Sequence, residues 1–385
     1  MPFDAGNWAD WLILVVRVAI VFAALLVSVL LLIWVERKVV ADMQTRLGPT
    51  RAGPFGILVT LADGIKLFFK EGITPAMADK PVYLLAPIVG LVPAFLAFAV
   101  VPFGSTVHLF GRDIPLQLAD LNIGVLYILA VTSLGVYGVV LAGWSSGSTY
   151  PLLGAVRSTA QMISYEISLA LGLVAVLMYA GTMRMSELVA RQDSIWNVVP
   201  QFPAFLIYGV SALAESNRAP FDLPEAETEL VAGFHTEYSG IRFAMFFLAE
   251  YLHMITVSAV AVTVFFGGWR GPAPDFVPWL WPILWFVLKV SVLLFVFIWI
   301  RATLPRFRYD RLMHLGWKVL IPAGLVWVLA TGAIVVLPDL YGRDRFFRWA
   351  AIAAGVALLI SLAAPVFQKK PPADASSEQP QERVP

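Results

Sequence analysis

The chain contains no cysteine, which excludes disulfides, thiolate metal sites, cysteine-ligated iron–sulfur clusters and a cysteine nucleophile. Charge is scarce too: 14% of its 385 residues are charged, against about 25% in an ordinary soluble domain. The 27 basic and 26 acidic side chains nearly cancel, removing any global pull on nucleic acid. Phosphate loops (GxxxxGK[ST]), dinucleotide fingerprints (GxGxxG) and zinc motifs (HExxH) are missing, and the spacing offers no metal site. One histidine of four, His253, falls in an apolar run, so a bis-histidine haem within the membrane has no second ligand. What abounds is apolar surface: 59% of residues are hydrophobic and the mean hydropathy is +0.79. That exceeds what one globular core hides, and excludes a soluble enzyme, a disordered regulator and a secreted disulfide scaffold. An all-α, polytopic integral membrane protein remains, since helices satisfy their own backbone polar groups in lipid.

A spanning helix needs roughly 20 apolar residues. Nine stretches predict transmembrane helices, near 11–35, 82–102, 123–143, 161–181, 200–215, 243–267, 279–301, 317–337 and 346–367. The fifth is the shortest and contains Pro203. The first has an Asp-bearing start and no basic flank, so it reads as a span and not a cleaved signal. With the N-terminus outside, 18 Lys and Arg fall on one side and 7 on the other. The positive-inside rule then predicts cytoplasmic loops at 36–80, 144–160, 216–242 and 302–316. Residues 1–367 form one transmembrane domain in this reading, and the polar, Pro-rich segment 368–385 a disordered cytoplasmic tail. No long-range repeat is visible, which argues against a self-contained inverted-repeat transporter.

The first loop carries a local repeat, RLGPT–RAGP, with Arg46 and Arg51 five apart. Its Gly-Pro steps force turns near the membrane surface. Residues 55–71 then place Leu58, Leu61, Ile65 and Phe68 on one helical stripe, with Asp63, Lys66 and Lys70 opposite. This predicts an amphipathic surface helix in addition to the spans.

The acidic residues are the informative feature, because ionisable groups within spans are costly and mark pathways. Glu166 lies in the fourth span and Glu250 in the sixth, while Glu36 and Glu215 end the first and fifth. Each alone could be an ion-pair partner. The 215–240 loop adds Asp222, Glu225, Glu227, Glu229 and Glu237 against one basic residue, Arg218. A helix after Pro224 would put Glu225 and Glu229 on one face, and an extended chain would put Glu225, Glu227 and Glu229 on one side. Interspersed Phe221, Leu223, Leu230, Val231 and Phe234 favour burial over a solvated loop. Clustered, buried carboxylates exchange protons near neutral pH, so the pattern points to proton handling. Electrons, if involved, must come from partner proteins or a lipid-soluble substrate.

Four segments carry a family resemblance: ERKVVADMQTRLGPTRAGPFGILVTLADGIKLFFKE (36–71), LAGWSSGSTYPLLGAVRSTAQMISYE (141–166), the acidic loop with EYSGIRFAMFFLAEY (215–251), and IWIRATLPRFRYDRLMHLGWK (298–318). In order and placement they resemble the NuoH family of proton-translocating NADH:quinone oxidoreductase, respiratory complex I. The resemblance implies a membrane-arm component in the cell's inner (plasma) membrane, at the junction with a hydrophilic arm. It further implies a quinone substrate and no cofactor on this chain, with FMN and iron–sulfur clusters on partners. Those partners would be the hydrophilic quinone-site subunits and the small and antiporter-like membrane subunits. Mapped onto this sequence, Arg37, Arg46, Arg51 and Asp63 fall near a quinone entrance, with Arg218, Phe221 and Glu229 deeper. The implied proton path runs over Glu166, Glu215, Glu225, Glu227, Glu229, Glu237 and Glu250. Some relatives have a further Glu in the third span; this chain has no acidic residue between Leu121 and Gly143. Competing readings are the homologous component of a membrane-bound hydrogenase-type complex and a stand-alone cation antiporter.

Overall fold

The computed structural model describes residues 8–109, 112–222, 231–274 and 279–341. Helix α1 (Trp8–Met43) is followed by a compact turn and α2 (Val59–Phe69), then α3 (Lys80–Ala97). A short antiparallel hairpin, β1 (Val107–Leu109) with β2 (Arg112–Ile114), pairs Val107 with Ile114. Next come α4 (Gly124–Ser145), α5 (Thr149–Ala180), α6 (Met185–Ala190), α7 (Phe202–Glu215), α8 (Ile241–Phe265) and α9 (Leu280–Thr303). The described chain closes with α10 (Tyr309–His314), a π-helical step and α11 (Ile321–Tyr341).

Seven helical segments are long and apolar enough to cross a membrane, and α7 is a shorter apolar helix. These eight coincide with eight predicted spans, so the chain is an all-α, multi-pass membrane protein. The ninth predicted span, the tail and the expected domain end at 367 lie outside the described residues. The hairpin is not legible in the sequence, since three residues per strand carry too little alternation to read. Helix α5 begins well before its apolar run, at Thr149, with Pro151 in its first turn. The chain divides into compact units 1–331 and 332–385; of the second, residues 332–341 are described and are helical.

Helix α8 is the inner helix: 67% of its most apolar window is buried, against 17% for α1 and α9. The outer helices turn Leu, Val, Ile and Phe outward, as contact with lipid allows. Small residues let helices approach closely. A Cβ placed on Gly138 of α4 would lie 2.6 Å from the Gly90 backbone of α3.

The two basic residues within spans have structural explanations. The Lys289 ammonium donates to the carbonyls of Phe266 (2.8 Å), Gly268 (3.0 Å) and Arg270 (2.7 Å), capping the chain that leaves α8. The Arg17 guanidinium donates to the Gln117 carbonyl.

Candidate functional site

Helix α1 continues eight residues past its predicted end at 35, so Glu36 and Arg37 sit on an extended helical stalk. The stalk stops where Thr45 adopts a left-handed φ of 54°, and the chain folds back through Ala52, Gly53, Phe55 and Gly56, all with positive φ. At Gly56 a side chain is impossible without movement, because its Cβ would stand 2.6 Å from the Pro49 carbonyl. The Lys38 ammonium (3.3 Å to Pro49 O) and the Trp34 indole (3.1 Å to Phe55 O) hold this turn on α1.

Surface helix α2 is tied to the stalk by Arg37, whose Nη1 lies 2.7 Å from Asp63 Oδ2, with Lys66 at 3.5 Å. Partial burial pushes the Asp63 carboxyl up, but the Arg37 hydrogen bond and charge, with Lys66, outweigh it and hold the group below its usual range. Between the stalk, the turn, the middle of α8 and the end of α9 opens a cavity of about 620 Å³, lined among others by Glu36, Arg37, Arg46, Tyr251 and Arg301. That volume suits a small organic headgroup, for which about 300–1,000 Å³ is usual. Arg51 is exposed and outside its lining.

Behind this cavity lies a buried charge cluster. Glu36 Oε1 pairs with Arg301 and stands 3.5 Å from Arg218 Nη1; its Oε2 accepts the Tyr251 hydroxyl at 2.7 Å. Arg218 turns its Nε to Glu250 Oε1 at 2.7 Å and stacks its guanidinium 4.1 Å over the Tyr251 ring. Among the described residues two carboxylates thus meet two guanidiniums, Arg218 buried and Arg301 41% exposed, a pairing that offsets the burial of ions. Arg218 and Glu36 side chains are 7% exposed, and Glu250 20%.

Glu250 also borders a second, inner cavity of about 90 Å³ between α3, α4, α5, α7 and α8. Helix α7, with 14 residues, spans about 21 Å of a core roughly 30 Å thick. It therefore ends inside the protein, and its last residue, Glu215, projects into this cavity. Glu215 is 6% exposed and its Oε1 lies 3.3 Å from His253 Nε2 of α8, though not along a linear N–H···O line. Glu166 sits one helical turn beyond the cavity-lining Met162 and accepts the Ser133 hydroxyl.

Among the predicted site residues, Arg37, Asp63, Arg46 and Arg218 gather around the outer cavity, and Glu250, Glu215 and Glu166 around the inner one. Glu237 lines neither; its backbone carbonyl accepts the Tyr83 hydroxyl at 2.8 Å. Phe221 packs in a separate apolar cluster, 5.8 Å from the Tyr165 ring and 5.5 Å from Phe307. Its carbonyl accepts Gln161 Nε2 at 2.6 Å, which anchors the start of the acidic loop. Glu225, Glu227 and Glu229 lie outside the described residues. Sequence reasoning missed Arg301, Tyr251, Ser133 and His253 as parts of the site. In the sequence Arg301 counts only toward the positive-inside bias, and a hydroxyl or an imidazole in a span carries no signal until its neighbours are known.

A family model described as NADH dehydrogenase matches residues 16–332. The H subunit of NADH-quinone oxidoreductase from Frankia casuarinae is 56% identical over 370 residues, covering 94% of this chain and 82% of that protein. Its counterpart from Frankia alni matches with the same identity and coverage. The chain belongs to the NADH dehydrogenase family of membrane proteins, with H subunits of NADH-quinone oxidoreductases among its relatives.

Proposed function

We propose that this chain forms the membrane wall of a quinone site and couples quinone reduction to proton movement through its buried carboxylates. The observation that carries the reading is Arg218, bound on one side to Glu36 of the outer cavity and on the other to Glu250 of the inner one. Reduction of a quinone takes up two electrons and two protons, and negative charge develops at the outer cavity before the protons arrive. A shift of Arg218 toward Glu36 answers that charge and leaves Glu250 without its counter-ion. A buried carboxylate so stripped binds a proton, taken from the inner cavity that also holds Glu215. Arg37, Arg46, Arg51 and Asp63 frame the entrance, with Phe221 and Glu229 deeper. Glu166, Glu225, Glu227 and Glu237 extend the proton path away from the quinone.

In this reading the turn at 46–56 and the acidic loop face the cytoplasm and meet the hydrophilic quinone-site subunits, which carry FMN and iron–sulfur clusters. The N-terminus lies outside, and the small and antiporter-like membrane subunits dock along the bundle. Glu250→Gln tests the coupling. It keeps size and hydrogen bonding but cannot exchange a proton, so assembled complexes should lose proton translocation and coupled turnover sharply, while Glu250→Asp retains part of both. Parental proton-to-electron ratio and rate in an assembled Gln variant would contradict the proposal.

A further inference from the structure

Three residues lining the inner cavity each hold a buried polar atom without a hydrogen-bond partner among the described residues: Glu215 Oε2, Asn217 Oδ1 and His253 Nε2. Buried polar atoms are hydrogen-bonded to protein or water in all but a few cases. A cavity of about 90 Å³ has room for water. The polar residues thus stand at one side of a cavity whose other walls, among them Pro93, Val139, Phe243 and Phe247, are apolar.

His253 is placed to use that water. It lies three residues after Glu250 on α8, so both side chains fall on one helix face, and both line the cavity. Among the described residues, the titratable groups around it come from four elements: Glu215 from the end of α7, Glu166 from α5, Glu250 from its own helix and His235 from the loop before α8. Arg218 occupies Glu250 at 2.7 Å and Ser133 occupies Glu166, whereas Glu215 faces His253 with one oxygen unpartnered. Glu166 is within electrostatic reach of both Glu215 and His253. Helix α4, which stands beside Glu166, supplies hydroxyls there and no carboxylate, so the imidazole is the added titratable group on this stretch.

We propose that His253 is a proton-carrying residue of the inner cavity, transferring protons between Glu215 and Glu166 through ordered water. Nε2 takes the proton of the Glu215 carboxyl, leaving a carboxylate. The imidazolium then gives one proton to cavity water, which delivers it to the Glu166 carboxylate, and the ring is neutral again. Imidazole suits the step because it accepts at one nitrogen and donates from the other. This rests on the proton-coupling reading above and adds a residue to it.

The test uses the whole complex in sealed vesicles, with assembly, quinone reduction and proton uptake measured on His253→Gln, His253→Glu and Glu215→Gln. The Gln variant should assemble and lose at least about tenfold in coupled turnover, as removal of a proton-transfer group does. His253→Glu, which restores an exchangeable proton, should recover most of it. A merely structural histidine predicts the reverse, since Gln fills the site neutrally and Glu adds a buried charge. Should the Gln variant not assemble, the smaller His253→Asn carries the same reading. If Glu215→Gln uncouples while His253→Gln pumps at the parental rate, the histidine is not a carrier but the carboxylate path stands. If Glu215→Gln also pumps normally, the path itself fails.

Discussion

The Tyr251 hydroxyl donates to Glu36 Oε2 at 2.7 Å, joining the stalk of α1 to the central helix α8 beneath the outer cavity. Tyr251→Phe removes that donor but keeps the ring under Arg218. A buried carboxylate oxygen that loses a hydrogen bond costs about 1–3 kcal/mol. The thermal midpoint for loss of this chain from the complex should fall by several degrees, with the quinone KM raised. An unchanged midpoint and KM would mean that water replaces the hydroxyl at no cost.

Helix packing makes a sharper structural prediction. Gly138→Ala inserts a methyl 2.6 Å from the Gly90 backbone, where neither helix can yield a side chain. Overpacking of this kind costs about 1–3 kcal/mol. Gly209→Ala on α7 is the control, since nothing lies within 4 Å of its Cβ. Native gels should show reduced assembly for Gly138→Ala alone.

His235 gives a pH dependence with a definite sign. Burial holds the imidazole near a pKa of about 4, down from 6.5, and its Nδ1 lies 2.6 Å from the Ala232 carbonyl. A group whose folded value is depressed gives stability that is complete above about 6.5 and is lost as pH falls toward 4. The drop corresponds to about 3 kcal/mol. Amide exchange of residues 232–239, corrected for its intrinsic rate, should accelerate between pH 7 and pH 5, and His235→Phe should abolish that acceleration. Equal protection at both pH values would contradict it.

The eight described spans and the surface helix were legible because apolar length and helical periodicity are local signals. The 14-residue α7 shows where locality ends. Its brevity was visible, yet its consequence, a carboxylate ending inside the bundle, depends on the helices around it. Glu36 and Glu250 stood out as charges in apolar runs, but they are far apart in the chain, and nothing local tells that one guanidinium serves both. Arg218 and Arg301 looked alike as loop-side basic residues; Arg218 proves buried, while Arg301, still 41% exposed, is set apart from Arg51 by its pairing with Glu36.

Orientation can be tested in this cysteine-free chain. Single cysteines at Arg46 and Arg270 should be labelled by an impermeant reagent from opposite faces of sealed vesicles, Arg46 from the cytoplasmic one. Labelling of both from one face would overturn the proposed topology.

In the proposed coupling Arg218 joins the two cavities by serving Glu36 and Glu250 together. A double-mutant cycle measures it directly. Glu36→Gln, Glu250→Gln and the double variant would be compared for proton-coupled quinone reduction in assembled complexes. If one guanidinium links the two carboxylates, the double variant should be about as impaired as the worse single variant. Losses that multiply would show two independent sites and contradict the account.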